Sequence, residues 1–302
     1  MNHAPVALFV YRRPKHTLRT IRALQNNPGA SETDLIVFSD GPKNDLDRTQ
    51  VQDVRDLLGS IKGFRSVSVV DREKNMGLAE SVINGVTQVL STRGTIIVVE
   101  DDIETSPHFL QYMNEALDAY EKEERVISIH GYIYPLATPA PETFFLKGAD
   151  CWGWATWRRG WNLFEQDGKK LLAELHARGL EKEFDLGGSY HYTRMLEEQV
   201  ERKVDSWAIR WHASAFLKNK LTLYPGRPVV RNIGHDDTGS HSGKTRMFNI
   251  ELTATPINLA KIPIEQDERM VAEFAKFWRS SKPTGSQRLL NRLRRFAKGL
   301  VQ

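Results

Sequence analysis

Residues 96–106 read IIVVEDDIETS: four β-branched apolar residues run directly into Glu100, Asp101 and Asp102. Adjacent like charges repel, and burying them costs more, so such a strand end either faces water or awaits a cation. Strand alternation points Glu100 and Asp102 one way and Asp101 the other. Hard carboxylate oxygens suit Mg²⁺ or Mn²⁺, and such sites commonly join one or two carboxylates to the phosphates of a substrate. The plain alternative is a solvated turn, or an acid capping the helix after Ser106.

Other polar groups follow apolar runs in the same way. PVALFVY leads into Tyr11, Arg12 and Arg13, DLIVFS into Asp40-Gly41, and SVSVVD into Arg72 and Lys74. The arginines suit phosphates and Asp40 suits an N–H donor, although Asp-Gly is also ordinary turn chemistry. Further along, DCWGWATWRRGW sets Asp150 before Trp152 and Trp154 at strand spacing, with Trp157 and Trp161 beyond. Indole faces can wall a sugar ring or simply fill a core. Asp205 precedes Trp207, with Glu197 and Glu198 just upstream, and GHDDTGSHSG carries His235 and His241. Imidazole can complete a Mn²⁺ shell or meet a phosphate.

These groups need elements to hold them. Residues 5–11, 34–40, 66–71 and 95–101 read as apolar strands, and 17–26, 47–59 and 75–90 between them have helical spacing. Alternating strands and helices imply parallel βαβ units, and fully apolar strands imply a sheet covered on both faces. Ligands in such sheets bind at the carboxyl ends of the strands, where every polar terminus named above falls. The spacing predicts further helices over 167–178, 189–203 and 207–218, and strands over 125–135 and 143–148. One α/β domain over 1–262 is expected, with a first half to about 105 and a second half beyond, then a C-terminal extension over 263–302.

With 302 residues and one cysteine, Cys151, the chain has no disulfide framework, which fits a reducing cytoplasm. The apolar start is too short for a signal peptide. Seven Lys and Arg without an acid lie from Arg279 onward, so the basic balance belongs to the tail and the body is slightly acidic. That composition offers no electrostatic case for nucleic acid. SQRLLNRLRRFAKGLVQ patterns as a basic amphipathic helix, able to lie on the inner face of an anionic membrane.

VVEDDIETSPHFLQYMNEAL resembles the acidic metal motif and following helix of GT-A-fold glycosyltransferases, closest to the form in family 13, the N-acetylglucosaminyltransferase I-like enzymes. NMGLAESVINGV resembles the Asn-x-Gly helix that precedes this motif in family 2, and the whole is similar to bacterial polysaccharide or lipopolysaccharide glycosyltransferases. The resemblance covers roughly residues 4–245. It implies a Rossmann-like, mostly parallel sheet flanked by helices, with a nucleotide-sugar half and an acceptor half, and inverting transfer from a uridine-linked nucleotide sugar to a glycan or lipid-linked acceptor. Asp102 would bind Mn²⁺ (or Mg²⁺) directly, helped by His241. Tyr11, Arg13, Asp40, Arg72, Glu100 and Asp101 would hold the donor, with Asp40 on the base. Asp150, Trp152 and Trp154 would contact sugar, and Asp205 would be the general base.

Two other functions fit less well. A sugar-phosphate nucleotidyltransferase would want a glycine-rich loop after the first strand, and RRPKH has no glycine. A non-catalytic nucleotide- or glycan-binding protein would not need the intact acids.

Overall fold

The computed structural model describes residues 3–236 and 245–281. Strands β1 (Val6–Val10), β2 (Asp34–Ser39), β3 (Ser66–Asp71) and β4 (Thr95–Glu100) alternate with helices α1 (Pro14–Gln25), α2 (Asp45–Leu58) and α3 (Leu78–Thr92). Then come β5 (Ile103–Thr105), α4 (Phe109–Ala119), β6 (Val126–His130), β7 (Thr143–Lys147) and β8 (Trp154–Trp157). Five helices follow in a row: α5 (Arg158–Trp161), α6 (Gly168–Ala177), α7 (Glu181–Phe184), α8 (Tyr192–Val200) and α9 (Trp207–Leu217). The described chain closes with β9 (Leu221–Pro225), β10 (Val230–Asn232) and α10 (Glu268–Ser281).

Eight strands form one sheet in the order β3-β2-β1-β4-β8-β6-β9-β7. The first four are mutually parallel, and β6 and β9 point the same way, while β8 and β7 run against them. Alternation along β1 sorts the core into two layers. Val6, Leu8 and Val10 pack toward Ile21, Leu24 and Val54, while Ala7 and Phe9 pack toward Val82 and Val86 of α3 and Trp211 of α9. The expected double cover fails at β3, where Ser66, Ser68, Val69 and Asp71 are exposed because this strand is the sheet edge.

Local chemistry sets the helix starts that face the carboxyl edge. Pro14 opens α1 directly after Arg13. Asn44 caps α2 by accepting from the Asp47 amide, and Ser206 caps α9 by accepting from the Ile209 amide. Gly77, at φ 77°, turns the chain into α3, a conformation glycine adopts without steric cost. Helix α9 returns to β9 through a short turn, so its first residues stand at the carboxyl ends of the parallel strands.

The boundary expected at residue 262 does not divide the packing. The Asp267 amide donates to the Phe145 carbonyl at 2.8 Å, and Met270 and Phe274 of α10 are buried against Ile133, Phe144 and Tyr224. The basic amphipathic tail lies outside the described residues.

Candidate active site

The acids sit where the sequence puts them, at the end of β4 beside β1. What they meet there is an arginine. Arg13 donates to both oxygens of Asp101, and its Nη2 also donates to Asp102 Oδ2 at 2.9 Å. Its Nη1 is buried with no partner. Burial works against the guanidinium charge, but Asp101 and Asp102 outweigh it and raise its pKa. One cation thus faces three carboxylates. Burial, then Asp102 and Asp101, pushes Glu100 up to about 8. Burial is also the chief cause that lifts Asp101 to about 6, against the pull of Arg13.

A two-stranded ribbon brings a second segment onto these acids. β10 pairs antiparallel with β5, Asn232 opposite Ile103, and the Ile233 amide then donates to the Asp102 carbonyl at 2.8 Å. Gly234 lies so close to Asp102 that a β-carbon there would overlap its carboxylate and crowd Arg13. His235 comes next, beside Trp152 and Phe248, and neither ring nitrogen has a hydrogen-bond partner. Burial lowers its pKa, opposed by Asp102, which favours the neutral ring that a metal needs. His241 lies outside the described residues, so the histidine seen against Asp102 is His235.

These groups fit a divalent cation of the open kind. The carboxylates are hard, they carry more negative charge than Arg13 balances, and His235 has unused nitrogen lone-pair capacity. Among the described residues no group of three or more His, Cys, Asp or Glu side chains is placed to hold a metal ion by itself. A substrate phosphate would therefore have to complete the coordination.

Several expected contacts are already committed elsewhere. Asp40 Oδ1 accepts from the Gly41 and Met76 amides at 2.9 Å, and Oδ2 from Asn75 Nδ2 and the Gly77 amide at 3.0 Å. Four bonds use the accepting capacity of a carboxylate, so Asp40 ties down the 75–77 loop instead of offering itself to a base. Tyr11 turns away from the acids: its hydroxyl donates to Asp47 at 2.7 Å and accepts from the Lys43 amide at 2.9 Å. Arg12 pairs with the same Asp47 at 2.5 Å. Arg72 stands over the Phe38 ring with Nη1 buried and unpartnered, and burial lowers its pKa against the pull of Asp40 and Glu80.

The tryptophans divide. Trp154 is not a sugar contact, because it is fully buried, with its ring 5.5 to 5.9 Å from those of Trp207, Trp161 and Trp211. Trp152 does face a cavity of about 190 Å³, shared with Asp150, Cys151, Tyr190 and Tyr192. The Trp152 ring lies 5.5 Å from that of His235, next to the Gly234 that rests against Asp102, which sets the cavity beside the acids. Sequence reasoning missed Phe248 and Trp278, which also line this cavity. Only their aromatic type hinted at it. Asp205 is 67% exposed, pairs with Arg210 at 3.4 Å, and stands just before α9, whose Ala208 and Ile209 line the cavity.

A mostly parallel α/β sheet with buried acids at the end of its fourth strand is the GT-A arrangement of glycosyltransferases. The model for the family described as glycosyl transferase family 2 matches residues 6–170, over half of the chain, and the chain belongs to that family. The family 2 side of the sequence resemblance is the one this match carries. No curated protein matches. Among solved structures, S. aureus TarS is 15% identical, over 48% of this chain and 24% of that one, with a TM-score of 0.32. Its 1–349 fragment is 10% identical, over 75% and 59%, with a TM-score of 0.40. Mannosyltransferase PcManGT from Pyrobaculum calidifontis, in complex with GDP-Man and Mn2+, is 10% identical over 43% and 35%, with a TM-score of 0.30. The chain spans less than two thirds of each of these.

Proposed function

We propose that the chain transfers a sugar from a nucleotide sugar, with uridine as the base, to a hydroxyl of a glycan or lipid-linked glycan, with inversion at the anomeric carbon. The carrying observation is the crowding at the end of β4: three carboxylates, Asp101 buried and Glu100 and Asp102 half-buried, around the single guanidinium of Arg13. Asp102 and His235 would hold Mn²⁺ or Mg²⁺ there, with His241 a further candidate in the same loop. When bound, such an ion supplies positive charge against the departing diphosphate. Arg13 and Arg72 each keep an unpartnered buried nitrogen that a phosphate oxygen can accept from. Glu100 and Asp101 set the charge that the donor must complement.

Asp150 and Trp152 would hold the sugar, Asp150 by accepting from a hydroxyl and Trp152 by covering a C–H face. Asp205 would take the proton from the attacking hydroxyl, its exposure keeping it reachable by an incoming acceptor. A role in surface polysaccharide synthesis is what the sequence resemblance supports, and the basic pattern of residues 286–302 fits a place on the inner face of the cell membrane. No helix among the described residues is long and apolar enough to cross a membrane. Removing residues 286–302 should abolish liposome flotation, and flotation that persists would dismiss that placement.

Thermal shifts with uridine, guanosine and other nucleotide sugars, with and without Mn²⁺, test the donor and the metal together. A rise with a uridine nucleotide that needs Mn²⁺ and disappears in Asp102→Ala is expected. No rise with any uridine nucleotide would rule out the donor assignment.

A further inference from the structure

The cavity beside the acids has a lopsided chemistry. Its described lining brings seven benzene or indole rings, two imidazoles and one carboxylate, Asp150, with no lysine or arginine. Burial keeps His130 and His212 neutral at physiological pH, lowering the first to about 4, with Asp150 opposing in both cases. Burial likewise raises the phenols of Tyr134, Tyr190 and Tyr192, so they carry no charge. Nothing positive in the described lining balances Asp150, whose described hydrogen bond comes from the Tyr224 hydroxyl at 2.8 Å.

Of the polar atoms in the lining, the Tyr132 hydroxyl donates to the Phe248 carbonyl at 3.0 Å, while the buried Nδ1 of His130 has no partner. Aromatic faces around one unbalanced carboxylate suit a compact cation, which gains from the ring quadrupoles and from the carboxylate together. An acidic group would meet the same carboxylate as a repulsion.

We infer that this cavity takes a positively charged ammonium group, carried on an amino sugar or on another small amine, and turns away acidic sugars. The inference rests on the reading of the cavity as the sugar subsite and names the class of sugar it selects. Trp278 of α10 and Phe248 close the same cavity, which makes residues 245–281 part of the selection.

Isothermal titration of the full chain with glucosamine, glucose, glucuronate and choline, each at neutral pH, tests this. Glucosamine should bind about tenfold more tightly than glucose, the scale of a desolvated cation–π contact, and glucuronate should not bind. Asp150→Asn should remove the preference, and Trp278→Leu, which keeps the carboxylate, should weaken it. Choline binding without glucosamine binding would support the ammonium assignment and identify a quaternary group. Glucose or glucuronate binding as tightly as glucosamine, or no binding of either amine, would overturn it. Uridine diphosphate titrated separately reports on the proposed transferase function. A chain that binds the nucleotide and shows no amine preference loses only this inference.

Discussion

The main chain at Gly234 rests against the Asp102 carboxylate, leaving no room for a β-carbon between them. The carboxylate is the movable partner, since the Ile233 amide fixes the backbone next door. Gly234→Ala should therefore push Asp102 off Arg13 with little cost to the fold. Mn²⁺ affinity, followed by the free-ion EPR signal, should fall about tenfold, on the scale of losing a ligand's support. Wild-type affinity in this variant would mean that Asp102 does not hold the metal.

Arg13 is the one described cation paired with these buried acids. Arg13→Ala leaves two carboxylates unpaired, and losing one partner of a buried ion pair costs about 3–5 kcal/mol. Urea unfolding at pH 8 should show a loss of that order. At pH 5 the loss should be smaller, because the raised pKa of Asp101 lets it take a proton instead. A loss equal at both pH values would contradict the charge argument.

Glu100 and Asp101 hold protons to about pH 8 and about pH 6 in the folded chain, above their unfolded values near 4. The folded state then binds more protons across that window, so stability is fully present below about pH 4 and falls as pH rises toward 8. A divalent cation opposes the fall. Mn²⁺ should raise Tm more at pH 8 than at pH 5, as differential scanning fluorimetry would show. An equal rise at both would detach the metal from these acids.

Asp40 supports a loop. Asp40→Asn keeps one acceptor oxygen and loses the other, breaking either the bonds from the Gly41 and Met76 amides or those from Asn75 and the Gly77 amide. Each lost partner costs about 1–3 kcal/mol. Unfolding should shift by at least one such step, and activity should fall through the position of α3. Full stability with a pure loss of uridine affinity would instead restore the base contact.

Asp205 is exposed, so its role should separate cleanly from stability. Asp205→Asn should leave Tm within about 2 °C, as for an exposed surface change. It should lower kcat by about 10²–10⁴, as expected for a lost general base. Nucleotide release assayed with acceptor present decides it, and a kcat within threefold of wild type would move the base elsewhere.

The first half of the chain was the legible half. Strands 34–39, 66–71 and 95–100 lie within a residue of their expected limits because each is a β-branched run closed by polar turn residues. The acids could be placed for the same reason. Partners could not. Arg13 lies 88 residues from Asp101, and nothing in RRPKH says which of its side chains turns toward β4. Asp40 looked free because its four donors come from the main chain and from Asn75, which carry no signal in a carboxylate pattern. Trp152 and Trp154 share a strand spacing, yet Trp154 enters the pleat of β8 and goes into the core, while Trp152 stays in the loop before it. Residues 245–281 were opaque because their aromatic side chains reach the cavity from scattered loop and helix positions with no local period.

The ribbon of β5 and β10 has a thermodynamic consequence. Asp102 and His235 are not two independent ligands, since one short antiparallel pairing fixes the turn that carries the first and the strand that leads to the second. Whatever binds at the acids must also favour the paired ribbon, and whatever settles His235 must favour the acids. By reciprocity, the factor by which either event strengthens the other is the same in both directions. Measuring one therefore measures the other.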